Sequence, residues 1–259
     1  MAELAKDKLA RAKQKIIVAL DVPTESEALE LVDMLKDSVN CFKVGLEFLT
    51  SAGIDIARRV KDRGGRVFYD GKFHDIPNTV AGACRAAVRL NVDMFTIHAI
   101  GGAEMMQRAK EATHEEARRL GVEPPMILGV TMLTSIDQHT MESDLRVPGN
   151  IGVHVVHLGK LAQRAGLDGV VASPLEIEVL TEHVPGLKII TPGIRPEWAA
   201  AQDQKRTTTP AEAISKGAYA LVIGRAITKP PRGIGGPTGA AARMLEEIAA
   251  ALPDERTPC

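Results

Sequence analysis

Within VFYDGKFHDIPNTV, residues 67–80, Asp70, Lys72 and Asp75 stand at spacings that can do electrostatic and proton-transfer chemistry. Alternation along a strand puts Phe68, Asp70, Lys72 and His74 on one side and Val67, Tyr69 and Phe73 on the other. Lys43 sits between Phe42 and Val44 in CFKVGLE and raises the same question. The surrounding runs are apolar at successive positions, as strands covered on both faces must be. A charge placed there without a partner is costly. If the two segments pair as sequence neighbours usually do, Lys43, Asp70 and Lys72 meet, with Asp75 one turn further on. Alternating signs then satisfy one another and hold each group ionised, as in a functional cluster in a cleft. The competing explanations are a structural salt-bridge network or, for Lys43 alone, a snorkelling lysine. Ion-pair networks stabilise poorly compared with apolar packing, which favours chemistry: a fixed ammonium can stabilise developing negative charge and donate a proton.

A second region suits an anion. TPGIRPEWAAAQDQKRTTTP supplies Gly193, Arg195 and Gln204, and VIGRAIT supplies Gly224 and Arg225 where a strand gives way to a helix. In α/β barrels the corner after the seventh and eighth strands commonly grips a phosphate with backbone N–H groups and a guanidinium.

These side chains need a frame. Eight short, β-branched apolar runs at 16–21, 41–47, 66–72, 93–99, 125–131, 168–173, 188–193 and 219–225 alternate with segments of helical period such as ESEALELVDMLKD and NTVAGACRAAVRL. Thr24 before the first helix and Gly64 and Gly65 after the second are cap signals. The pattern predicts an α/β fold, a (βα)8 TIM barrel forming one domain over 1–259. An open doubly wound sheet is the runner-up, but eight units without a split into halves favour closure. Barrel chemistry belongs at the C-terminal strand ends, where Asp21, Asp70, Lys72, His98, Thr131, Ser173 and Arg225 stand. Each alone has a plainer explanation, since strand ends meet solvent; the cluster does not.

Thirty-two Lys and Arg against 33 Asp and Glu leave a net charge of -1, no footprint for nucleic acid. Aromatic residues at 3% exclude base-stacking platforms and require an aliphatic core. No apolar run approaches the roughly 18 residues that cross a bilayer, so no membrane partner is expected. Three cysteines, Cys41, Cys84 and Cys259, form neither a disulfide framework nor a C-x-x-C pair, which suits a reducing cytoplasm.

The chain resembles the orotidine 5'-phosphate decarboxylase family. The resemblance is carried by ALD at 19–21, KVG at 43–45, DGKFHDIPNTV at 70–80, TIHAIGG at 96–102, VTMLTS at 130–135, TPGIR at 191–195, DQ at 203–204 and GRAIT at 224–228. It implies cofactor-free decarboxylation of orotidine 5'-monophosphate to UMP, the last step of de novo pyrimidine synthesis, by a carboxy-lyase. It implies that Lys72 donates the proton to C6, that Asp70 lies beside the departing carboxylate, and that Lys43 and Asp75 complete a charged tetrad. Asp75 and Thr79 would reach the ribose in a neighbouring subunit, which implies a homodimer with shared sites. Asp21 and Lys43 match ribose contacts, Thr134 a pyrimidine contact, and Arg195, Gln204, Gly224 and Arg225 the phosphate grip.

Departures are few. Gly71 replaces a larger apolar residue common in the family and faces away from Lys72. The segment 229–239, KPPRGIGGPTG, is longer and richer in Gly and Pro than usual; it lacks the ending of a nucleotide P-loop and is predicted to be a surface loop. The first fifteen residues suit a helix across the barrel bottom. His154 and His157 have a spacing that suits a metal, but no third ligand is evident. The nearest rival is the magnesium-dependent sugar-phosphate decarboxylases and synthases of the same barrel, which carry a glutamate metal ligand where this chain has Lys43 and lack the I-P-N-T after Asp75. A catalytically idle phosphosugar-binding protein is the other rival, and the presence of all four charged residues weighs against it.

Overall fold

All eight strands expected from the sequence form in the computed structural model, which describes residues 2–199 and 208–253. They are β1 (Ile16–Ala19), β2 (Cys41–Gly45), β3 (Val67–Phe73), β4 (Met94–His98), β5 (Met126–Val130), β6 (Gly169–Val171), β7 (Lys188–Thr191) and β8 (Ala220–Ile223). Every neighbouring pair is parallel, and β8 returns to β1, so the sheet is a closed barrel rather than an open doubly wound one.

Helices fill every connection. In chain order they are α1 (Ala2–Lys13), α2 (Glu25–Leu35), α3 (Leu46–Ala52), α4 (Ile56–Asp62), α5 (Pro77–Arg89), α6 (Gly102–Leu120), α7 (Gln138–Ser143), α8 (Ile151–Arg164), α9 (Ile177–His183), α10 (Pro210–Ser215), α11 (Arg225–Thr228) and α12 (Gly236–Ala251). Their starts follow local chemistry. The Thr24 hydroxyl accepts the Glu27 N–H, Asn150 accepts from Gly152 and Val153, and Thr209 with Glu212 closes a capping box. Pro77 opens α5, where its missing N–H costs nothing. Gly64, past the end of α4, takes φ +83, the left-handed turn anticipated there.

Strand alternation divides the core in two. Ile17, Cys41, Phe68, Met94, Leu128 and Ile190 point into the barrel, while Val18, Phe42, Val67, Phe95, Ile127 and Ile189 pack outward under the helices. Each such fully buried side chain contributes about 1.5–3 kcal/mol relative to exposure. The inward set stops short of the C-terminal strand ends. There the same face continues as Lys43 above Cys41, Asp70 above Phe68, and Thr96 above Met94. The register Lys43↔Phe68 and Gly45↔Asp70 between β2 and β3 makes these positions neighbours.

At the opposite end, α1 packs against α12, and Arg11 donates to the Pro253 carbonyl at 3.2 Å. Lys15 and Lys188 lie 5.1 and 5.0 Å from the centre of the Tyr219 ring. The Gly/Pro-rich segment expected as a loop is one only as far as Gly235; its last four residues open α12, with Pro237 in the first turn. Among the described residues, no helix is long and apolar enough to cross a membrane.

Candidate active site at the C-terminal strand ends

The centre of the site is one carboxylate between two ammoniums. Asp70 is 8% exposed. Its Oδ2 accepts from Lys72 Nζ at 2.7 Å and lies 3.7 Å from Lys43 Nζ. Lys43 also donates to Asp21 Oδ1 at 3.3 Å, so the order across the mouth is Asp21, Lys43, Asp70, Lys72. Gly45 leaves room for this: a methyl group on its Cα would meet Lys43 Nζ at 2.8 Å.

β3 is distorted where it delivers Lys72. The β3–β4 register shifts between Tyr69 and Phe73, and Lys72 adopts φ +48, unusual for a residue with a side chain. Its N–H leaves the regular ladder and donates to Thr96 Oγ1 on β4 at 2.9 Å. The Thr96 hydroxyl in turn donates to Asp70 Oδ1, also at 2.9 Å. Gly71 faces away from this cluster, as expected; a methyl there would strike the rings of Tyr69 and Phe73 at 2.5 and 2.9 Å. At the end of β4, His98 faces His74 with ring centroids 5.4 Å apart. Burial, aided by His74 and Lys72, holds the His98 imidazole below its ordinary pKa and thus favours its neutral form.

Asp75 and Thr79 do not join this cluster within the chain. Both are exposed, and Asp75 Oδ1 accepts the N–H of Ile76 at 2.7 Å. Among the described residues no ion pair links Asp75 to Lys43 or Lys72. Large apolar side chains surround the segment's place in the fold: Leu46, Ile76 and Ile100, which follow β2, β3 and β4, are 54%, 67% and 46% exposed.

At the same end of the barrel, the segments after β5, β6 and β7 border a cavity of about 950 Å³ whose lining includes Thr134, Ser173, Pro174, Glu176 and Gly193. Ser173 caps a single turn there: its hydroxyl accepts the Leu175 N–H, and the Glu176 carboxylate accepts the Ser173 N–H at 3.0 Å. Burial pushes the Glu176 carboxyl up to about 7, against the opposing pull of that hydrogen bond. Thr131 is a strand-end residue of the plainer kind, its hydroxyl satisfied by the Val171 carbonyl at 3.1 Å.

Of the residues expected to grip an anion, Gly193 and Arg195 follow β7, and Gly224 and Arg225 follow β8. Gly193 has φ +77, and Arg195 follows with its N–H donated to the Thr208 carbonyl at 3.1 Å. Gly224 precedes α11, and Arg225, the first residue of that helix, is exposed. Gln204 lies outside the described residues. His154 and His157 stack with ring centroids 6.4 Å apart on α8, and among the described residues no group of three or more His, Cys, Asp or Glu is placed to hold a metal. Cys41 and Cys84 are buried thiols whose pKa values burial raises, that of Cys84 to about 12; Cys259 lies outside the described residues.

Two residues of this site carry weaker sequence signals. Thr96 has only its parity with Met94 and His98 in TIHAIGG. Glu176 has the S-x-x-E spacing of a capping box in SPLE.

Comparison with known proteins agrees with this architecture. A family model described as Orotidine 5'-phosphate decarboxylase / HUMPS family matches residues 14–233. The chain is 51% identical over 238 residues to a Moorella thermoacetica protein named orotidine 5'-phosphate decarboxylase, covering 92% of this chain and 93% of that one. It is 49% identical over 218 residues to a protein of the same name from Nostoc sp., covering 84% and 91%. Among solved structures, orotidine 5'-phosphate decarboxylase from Lactobacillus acidophilus superposes with a TM-score of 0.79 at 33% identity, covering 91% of this chain and 99% of that one.

Proposed function

We propose, for a chain that belongs to the orotidine 5'-phosphate decarboxylase / HUMPS family, that it converts orotidine 5'-monophosphate to UMP and carbon dioxide using its own side chains, without cofactor or metal. The observation that carries this reading is the Lys43–Asp70–Lys72 cluster, with a buried carboxylate between two partly buried ammoniums at the mouth of the barrel on β2 and β3.

The reaction breaks the bond between C6 and its carboxylate; carbon dioxide departs and the electron pair stays on C6. That carbanion lies in the plane of the pyrimidine with no adjacent carbonyl to delocalise it, so the catalyst must supply positive charge at C6 and then a proton. The Lys72 ammonium supplies both. After transfer Lys72 is neutral and regains its proton from solvent. Asp70 orients Lys72 and lies beside the departing carboxylate, while Lys43 and Asp21 receive the ribose hydroxyls. Thr134, on the cavity wall, contacts the pyrimidine.

Arg195, Gln204, Gly224 and Arg225 hold the phosphate. This grip is remote from the scissile bond, yet its binding energy drives closure over the site and enters the rate. Lys43 separates the chain from magnesium-dependent relatives, since an ammonium at that position repels a divalent cation.

The active unit is a homodimer. Its support is the exposure of Asp75 and Thr79 beside the apolar Leu46, Ile76 and Ile100, a face that a two-fold partner covers. Asp75 then reaches the partner's site and completes the tetrad there. Free buried thiols at Cys41 and Cys84 suit a reducing cytoplasm. Loss of the ultraviolet absorbance of orotidine monophosphate on incubation with the purified protein tests the activity.

A further inference from the structure

We infer that Thr96 is a positioning residue for the reaction: its single hydroxyl fixes both the carboxylate of Asp70 and the backbone that presents Lys72. The inference rests on the decarboxylase reading of the site.

The direction of the two hydrogen bonds follows from chemistry. A backbone N–H only donates, so Lys72 N–H must give its proton to Thr96 Oγ1 at 2.9 Å. The acceptor on the other side is Asp70 Oδ1, also 2.9 Å away, and an ionised carboxylate only accepts. The hydroxyl has one proton, which therefore goes to Asp70. The resulting chain, amide to hydroxyl to carboxylate, is polarised in one sense along its length, an arrangement in which each bond strengthens the next.

Two consequences bear on catalysis. With Oδ1 occupied by Thr96, the Asp70 carboxylate is locked in rotation and Oδ2 is left facing Lys72 and Lys43, at 2.7 and 3.7 Å. With its N–H received by Thr96, Lys72 is held at φ +48, off the regular β3–β4 ladder. That conformation is disfavoured for a residue with a side chain and persists only where its surroundings fix it. Thr96 is fully buried, so no water replaces the hydroxyl if it is lost. The ammonium that must meet a carbon atom is thus aimed from a strained backbone by a side chain on the neighbouring strand.

The test compares wild type, Thr96→Val and Thr96→Ser in full-length protein, with kcat and KM for orotidine monophosphate and calorimetric affinity for UMP. Valine keeps the shape and removes both hydrogen bonds; serine keeps both and removes a methyl. The expected result is a kcat at least about 30-fold lower for Thr96→Val with KM and UMP affinity within about threefold of wild type, and Thr96→Ser within about fivefold in every quantity. A fully active Thr96→Val, a loss confined to KM, or equal damage in Thr96→Ser overturns the inference while the decarboxylase reading stands. An inactive wild type overturns both. If Thr96→Val does not fold, Thr96→Ala is compared with Thr96→Ser by the same criteria.

Discussion

Lys72 Nζ reaches Asp70 Oδ2 at 2.7 Å although only Gly71 separates the two residues and Lys72 has left the β conformation. In a regular strand the two side chains would stand parallel on one face. The left-handed φ at Lys72 departs from that geometry, and its ammonium meets the carboxylate at the barrel mouth.

Replacing Lys72 by alanine removes the proposed proton donor and the positive charge 2.7 Å from Asp70. The expected loss is about 10⁴-fold or more in kcat. The fold should persist, with a melting temperature within about 5 °C of wild type, because Asp70 keeps Lys43 and Thr96. Steady-state kinetics with a thermal melt checks this; a Lys72→Ala protein that remains active contradicts the assignment of the donor.

The proposed sharing of sites between subunits has its own signature. Lys72→Ala and Asp75→Asn subunits should each be inactive as homodimers. Mixed under conditions that exchange subunits, they should regain about a quarter of wild-type activity, since half the dimers are hybrids with one intact site of two. Failure to regain activity despite proven subunit exchange, or full activity in a strict monomer by sedimentation, opposes the sharing of Asp75.

Arg225→Ala removes a guanidinium from the proposed phosphate corner. A mere binding role raises KM alone. If phosphate binding drives closure, kcat falls too, and the combined loss in kcat/KM should be about 10²-fold. An unchanged kcat would show that the grip does not reach the chemical step.

Glu176 makes stability depend on pH. Its folded pKa, about 7, lies above the unfolded carboxylate range because burial penalises the charge. Its contribution is therefore fully present below about pH 4.3, lost as pH rises to about 7, and constant above. Glu176→Gln cannot ionise and still offers an oxygen to the Ser173 N–H. Relative to wild type it should gain stability between pH 5 and pH 8, by about 1 kcal/mol once cavity water softens the limit of about 3 kcal/mol that the shift sets. Urea melts at the two pH values measure it; a pH-independent difference contradicts the burial of this carboxyl.

Much of this architecture is legible in the residues themselves. Parallel strands covered on both faces read as apolar runs, so all eight were identifiable, and Lys43 and Asp70 stood out as charges where none should be. Lys72 was legible as a residue but its backbone was not: nothing local in D-G-K announces a bulge or a positive φ, which arises from the register of β3 against β4. Thr96 is an ordinary strand former by type, and its importance comes from two partners on another strand. The helical start at Gly236 was hidden because Gly and Pro signal loops, while Pro in a first turn is also a helix opener. Asp75 was legible by its spacing from Asp70 and Lys72, but within the chain it is exposed and accepts the Ile76 N–H instead of joining them.

Metal-free decarboxylation by this charged cluster is tested most directly by chelation. Full-length protein treated with EDTA and given orotidine monophosphate should consume it, followed by falling ultraviolet absorbance with UMP as product, at the rate of untreated protein. No turnover by folded protein contradicts the decarboxylase assignment, and turnover abolished by EDTA and restored by magnesium contradicts catalysis by Lys72 and Asp70 without a metal.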